Sequence, residues 1–167
     1  SLLLIITGEF PAIQLGLGFT LNGVGGLLGI NRTAAVDVLR TGLHTGALHA
    51  ILFPPDPLSN VPALLNTLES VFPVAEGRYV FGPMAKFGWG SPTILTLDLA
   101  LILEIPDPVR LLLIGRLKAT LPDEKNAVVL LHMDALGVLD FSRSEFSLDA
   151  TLYDSRILSF VLSGDMA

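Results

Sequence analysis

Hydrophobic residues recur at every second position from Leu95 to Leu121, interrupted once by a proline turn. Leu95, Leu97, Leu99, Leu101, Leu103 and Ile105 alternate with Thr96, Asp98, Ala100, Ile102 and Glu104. After Pro106-Asp107-Pro108 the rhythm resumes through Leu111, Leu113, Gly115, Leu117, Ala119 and Leu121. A period of two belongs to a strand with one covered face, so the segment predicts an antiparallel hairpin whose leucine row is buried. If Ile105 opposes Val109, then Glu104 falls opposite Arg110 and Asp98 opposite Arg116. Each such pair contributes about 0.2–1 kcal/mol, which favours the register without carrying the fold. A slip of one residue would turn the leucine row outward, so the register is strongly specified.

The same rhythm extends to both sides of the hairpin. Residues 2–10 read as a strand, Ile13 to Leu21 as a second, Asn22-Gly23 as a tight turn and Val24 to Ile30 as a short third strand. Downstream, residues 127–141 predict a long strand with Ala127, Val129, Leu131 and Met133 inward. Two further strands follow, one through Phe146, Leu148, Ala150 and Leu152 and one through Leu158, Phe160 and Leu162. Gly82-Pro83 and the run from Gly88 to Pro92 punctuate the entry to the hairpin, placing Phe87 and Trp89 in a loop.

Between these regions the period changes. Asn31 or Thr33 is positioned to cap a helix carrying Val36, Leu39, Leu43, Ala47 and Ala50, ended by Pro54-Pro55. Ser59 or Asn60 caps a second helix with Pro62 in its first turn and Leu64, Leu65, Leu68 and Val71 as its stripe, closed by Pro73 and Gly77. Both stripes need a partner, so the helices are expected to cover one end or part of the leucine face. The fold class is α+β and β-dominated: an antiparallel meander of long amphipathic strands with a two-helix insertion. Residues 1–167 form a single module, with a β-hairpin region at 1–30, the helical insertion at 31–73 and the meander at 78–167. Strands of about 13 residues span roughly 43 Å, well beyond the usual length, and predict a broad curved sheet or groove. The chain opens at Ser1 without a methionine and stops within strand rhythm, so it reads as a fragment of a longer polypeptide.

Composition changes the picture in one respect. Apolar residues make up 51% of the chain and charged residues only 16%, where about 25% is usual. That is too little charge to coat an ordinary globule, so apolar surface is expected to meet other segments of a parent protein, an assembly partner or a lipid-like ligand. The net charge of −6 and the lack of a basic stripe argue against a nucleic-acid surface. Without cysteine there are no disulfides, thiol nucleophiles or thiolate metal sites. No apolar run reaches the length of a transmembrane helix.

Candidate chemistry is sparse. Extending the hairpin register across the next loop puts His132 beside Arg116 with Asp134 diagonal to it, so Asp98, Arg116, His132 and Asp134 cluster on the less apolar face. An Asp–His contact can make a proton-transfer group, and a hydrolase built on His132 and Asp134 is the weakest of three functional readings. A solvated ion-pair network is the favoured account of the cluster, and no catalytic residue, cofactor or metal is expected. His44 and His49 miss the spacing that lets two histidines share a metal. Gly23-Val24-Gly25-Gly26 lacks the partners of a phosphate loop. The candidate binding residues are apolar: Leu97, Leu101, Leu113 and Leu131 on the leucine face, with Trp89 at the mouth of the sheet. Trp89 reads more naturally as a plug for the end of the core than as a grip on a ligand.

The segment Gly82-Pro83-Met84-Ala85-Lys86-Phe87-Gly88-Trp89-Gly90-Ser91-Pro92, the leucine-rich hairpin after it, and the close through Leu139-Asp140-Phe141, Leu152-Tyr153-Asp154-Ser155 and Gly164-Asp165-Met166-Ala167 resemble the DUF6603 family. Gly29-Ile30-Asn31-Arg32-Thr33 fits the same likeness. That resemblance implies a long bacterial parent protein of uncharacterised function and brings no catalytic residues. The pattern of apolar strand, short acidic turn and apolar strand over 127–165 is similar, more distantly, to AsmA and bridge-type lipid-transfer proteins, which line a β-groove with apolar side chains. The leading expectation is a non-enzymatic structural or assembly module of a larger β-rich protein or particle. The alternative is a groove that binds a lipid or acyl chain.

Overall fold

The structure is a computed structural model describing residues 1–45, 48, 51–53, 58–122, 128–157 and 160–167. Eight strands form one antiparallel sheet in sequence order: β1 (Leu2–Gly16), β2 (Phe19–Arg32), β3 (Val74–Trp89), β4 (Leu95–Ile105), β5 (Arg110–Leu121), β6 (Val129–Asp140), β7 (Glu145–Ile157) and β8 (Phe160–Met166). Two helices, α1 (Val36–Thr45) and α2 (Val61–Val71), lie in the connection between β2 and β3. The fold is thus β-dominated α+β, and each strand pairs only with its neighbours in the chain.

The β4–β5 register follows from the alternation and its charges. Glu104 opposes Arg110, and Asp98 opposes Arg116. At the N-terminus the expected turn moves. Gly16, Leu17 and Gly18 all take positive φ and make the β1–β2 turn, a conformation that two glycines supply at little cost. Asn22-Gly23 instead sits within β2, where the pairing with β3 shifts by one residue. That glycine fits close packing, because a Cβ on Gly23 would stand 3.0 Å from the Gly8 carbonyl oxygen and from the Phe53 ring. Gly82-Pro83 and Trp89 also belong to a strand, β3, rather than to loops.

The helix caps differ from the sequence expectation. The Asn31 side chain accepts the Gly77 N–H at 3.0 Å, and the Thr33 hydroxyl donates to Glu104, so neither caps α1. Asn60 does stand at the start of α2, with Pro62 in its first turn, but its side chain makes no capping bond. Ala47, Ala50, the Pro54-Pro55 stop, Ala127 and Leu158 lie outside the described residues.

The largest correction concerns which face is covered. Leu39, Leu43, Leu48, Leu52, Val71 and Phe72 from the helical region pack against Leu27, Val80, Met84, Ala100, Ile102, Leu112, Ile114, Leu136 and Val138. These strand residues occupy the positions between the leucines, so the core lies on the opposite side of the sheet from the leucine row. Leu101, Leu103, Ile105 and Leu113 remain 36–45% exposed. Near the Pro106 end of the sheet the second face is itself apolar, and it carries Glu104 and Arg110 as a mutually neutralising pair. Helices can therefore cover it without leaving a buried charge uncompensated.

Candidate functional site

The uncovered face grows directly from the pairing. Side chains opposite one another in an antiparallel ladder share a face, which links Leu4, Leu28, Phe81, Leu103, Leu111, Leu139 and Phe146 in one row across seven strands. A second row joins Phe87, Leu97, Leu117, Met133 and Leu152. Between them runs a row of smaller residues through Ala85, Gly115, Ala135 and Ala150, broken by Leu99. Among the described residues, no paired position on this face carries a charge. The chain exposes 9380 Å². A compact monomer of 17.8 kDa exposes about 8,000 Å² by size scaling, so roughly 1,400 Å² is in excess. An eight-stranded sheet about 34 Å wide, with strands about 36 Å long, presents a face of that order.

The apolar candidate residues all stand on this face. Leu101 and Leu113 are direct cross-strand partners, Leu97 opposes Leu117, and Leu131 opposes Ala119. Trp89 opposes Leu95 and donates its indole N–H to the Leu17 carbonyl at 2.9 Å. Its ring centroid lies 6.3 Å from that of Phe19. Trp89 therefore fastens the β1–β2 turn and keeps 38% of its surface exposed, rather than plugging the core.

The reverse face carries a charged row that crosses all eight strands. Glu9, Gly23, Lys86, Asp98, Arg116, Asp134, Thr151 and Asp165 are successive cross-strand partners. Lys86 pairs with Glu9, Arg116 Nε stands 3.6 Å from Asp134 Oδ1, and the Thr151 hydroxyl donates to Asp165 at 2.5 Å. Three members of the four-residue polar cluster lie in this row, with Asp134 opposite Arg116 rather than diagonal to it. His132 instead opposes Lys118, two residues from the expected register. Its Nδ1–H donates to the Asp154 carbonyl at 3.1 Å, its ring stacks on Tyr153, and the Tyr153 hydroxyl donates to Asp134 at 3.1 Å. The contacts of His132 run to Ser155, Asp154 and Tyr153. His49 lies outside the described residues. Among those described, no group of three or more His, Cys, Asp or Glu side chains is arranged to hold a metal ion, and no helix is long and apolar enough to cross a membrane.

Burial pushes the Asp98 carboxyl above the ordinary aspartate range, while Lys86 and Arg116 pull it down by less. Its Oδ1 is buried without a hydrogen-bond partner. A carboxyl raised in the folded state holds its proton there more tightly than in the unfolded chain. Its contribution to stability is therefore greatest at acid pH and is lost as pH rises from the unfolded value through the folded one. Asp98→Asn is accordingly expected to gain stability relative to the parent across that window. Urea midpoints measured from pH 3 to 8 check this, and a difference that stays flat with pH would refute it.

The sequence signal for the charged row was present but incomplete. Alternation alone revealed Asp98 opposite Arg116, whereas Glu9, Lys86, Thr151 and Asp165 join only once the sheet is seen to be continuous from β1 to β8. No curated protein and no solved structure matches the chain, and the likeness to AsmA and bridge-type lipid-transfer proteins gains no support from these comparisons. A family model described as a family of unknown function, DUF6603, matches residues 1–167. The chain belongs to the DUF6603 family.

Proposed function

We propose that this chain is a non-enzymatic structural module whose leucine face is closed by another apolar sheet. The observation that carries the reading is a face that, among the described residues, has no charge at any paired position across the eight-stranded sheet, on a chain with roughly 1,400 Å² of surface beyond what a compact monomer exposes. Standard protein interfaces bury about 800 Å² per partner, so one layer of this size is ample for stable association. Sheets pack face to face about 10 Å apart through interdigitating side chains, and a row of smaller residues flanked by rows of larger ones suits that geometry. A hydrophobic ligand such as an acyl chain is the alternative. Ligand sites combine apolar walls with a few convergent polar groups, and the paired positions of this face supply no charge to orient a headgroup.

Leu101→Lys with Leu113→Lys places two cations at the centre of the face. Both side chains are over 40% exposed, so folding stability is expected to change by less than about 1 kcal/mol. The parent chain is expected to self-associate at micromolar concentration in light scattering, and the double variant to run as a monomer. A parent chain that is monomeric under the same conditions, or that carries a stoichiometric extractable lipid, would overturn the assembly reading.

A further inference from the structure

We propose that the outer edge of β1 accepts β8 of a second copy as a ninth strand beneath α2. Among the described residues nothing pairs with the outer side of either strand, and an open edge is a row of unused backbone donors and acceptors. The β1 edge also has a built pocket. A cavity of about 650 Å³ runs along the consecutive residues from Leu3 to Thr7 and is overhung by Leu64, Leu65, Leu68 and Glu69 of α2, with Arg32 beside it. A groove between a sheet edge and a helix is the geometry of strand addition, in which backbone bonds give affinity and alternate side chains give selectivity.

Direction and charge identify the occupant. Successive strands alternate in direction through the sheet, so β8 of one copy meets β1 of the next antiparallel when their faces align. Arg32 donates to the Phe72 carbonyl at 2.9 Å and more weakly to the Ser1 hydroxyl at 3.4 Å. Its Nε is buried without a partner, and no carboxylate among the described residues pairs with it. Asp165 is the carboxylate of β8. Placing Asp165 opposite Ser1 brings it to Arg32, sets Val161 opposite Ile5 under the α2 leucines, and continues the leucine face with Leu162 opposite Leu4 and Phe160 opposite Ile6. Val161 is 82% exposed and becomes covered. Continuing the charged row in register would instead set Asp165 against Glu9, a like-charge contact that disfavours that alignment. The joint uses edges, so it stands whether or not the leucine face is covered.

The chain has no cysteine, which permits a direct test on the full chain. Leu4→Cys and Leu162→Cys proteins are mixed and treated with a short bis-maleimide, and linked peptides are quantified by mass spectrometry. The Leu4–Leu162 link is expected at about tenfold or more above that of Leu4→Cys mixed with Arg143→Cys, which lies in the β6–β7 turn. Arg32→Glu in the Leu4→Cys protein should lower the yield about tenfold, as a like-charge juxtaposition does. Asp165→Arg in its partner should restore it, which separates a lost contact from misfolding. A Leu4–Leu162 yield no higher than the control overturns the edge joint, and a yield indifferent to the charge swap overturns the role of Arg32.

Discussion

Arg110→Met is expected to destabilise the fold by about 3–5 kcal/mol, the usual cost of leaving one member of a buried ion pair alone. Glu104 is wholly buried. Arg110 donates its Nε–H to Glu104 Oε2 at 2.7 Å, its Nη2 pairs with the same carboxylate, and that nitrogen also donates to the Ala34 carbonyl at 3.0 Å. The second carboxylate oxygen accepts from the Thr33 hydroxyl and from the Ala34 N–H at 3.3 Å. One ion pair thus joins the β4–β5 hairpin to the segment entering α1. Removing the guanidinium strands a carboxylate in the core beneath the helices. Glu104→Leu combined with Arg110→Met should recover most of the loss, because apolar replacement of a whole buried pair is often neutral or stabilising. Chemical denaturation of the single and double variants reads both effects. A single variant as stable as the parent would show that Glu104 finds water or another partner.

Phe72→Ala is expected to cost about 3–5 kcal/mol, the range for emptying a fully buried aromatic site. Phe72 has no exposed surface and stands among the largest buried side chains. It also ends α2, with its N–H donating to the Leu68 carbonyl at 2.8 Å and its own carbonyl accepting from Arg32. The loss should appear both in the denaturation midpoint and as faster amide exchange through α2, since the ring anchors that helix to the sheet. Against a typical total of 5–15 kcal/mol, either substitution removes a large share of the fold's stability. Unchanged exchange in α2 with a lowered midpoint would mean that Leu64 and Leu68 hold the helix without the ring.

The hairpin register was legible in the sequence because two independent signals agreed there, a period of two and a pair of opposite charges. Which face would be covered was not legible. Ala100, Ile102, Leu112, Ile114, Leu136 and Val138 make the second face almost as apolar as the first over half its length, and alternation cannot rank two such faces. The telling signal was the pairing of Glu104 with Arg110, since a complementary pair tolerates burial where a lone charge does not. The β5–β6 register differs by two residues from the sequence expectation because the connection between Leu121 and Val129 is longer than the proline turn before it, and sequence alone does not fix the alignment of strands joined that way. Asn22-Gly23 carried a strong local turn signal, yet Gly16-Leu17-Gly18 offered a tighter reversal that let β1 and β2 both run longer. The apolar candidates Leu97, Leu101, Leu113 and Leu131 came together as expected, because any correct hairpin places them on one side.

The order of the strands has a consequence of its own. Each strand hydrogen-bonds only to its neighbours in the chain, and the helical excursion between β2 and β3 returns to the same neighbour. Such a chain can grow by adding the next hairpin to what already exists, without waiting for distant ends to meet, which lowers the entropic barrier that slows most all-β folding. The same connectivity makes the width of the sheet an adjustable quantity. Adding or deleting strands in pairs at an edge changes the span while leaving every remaining partner in place.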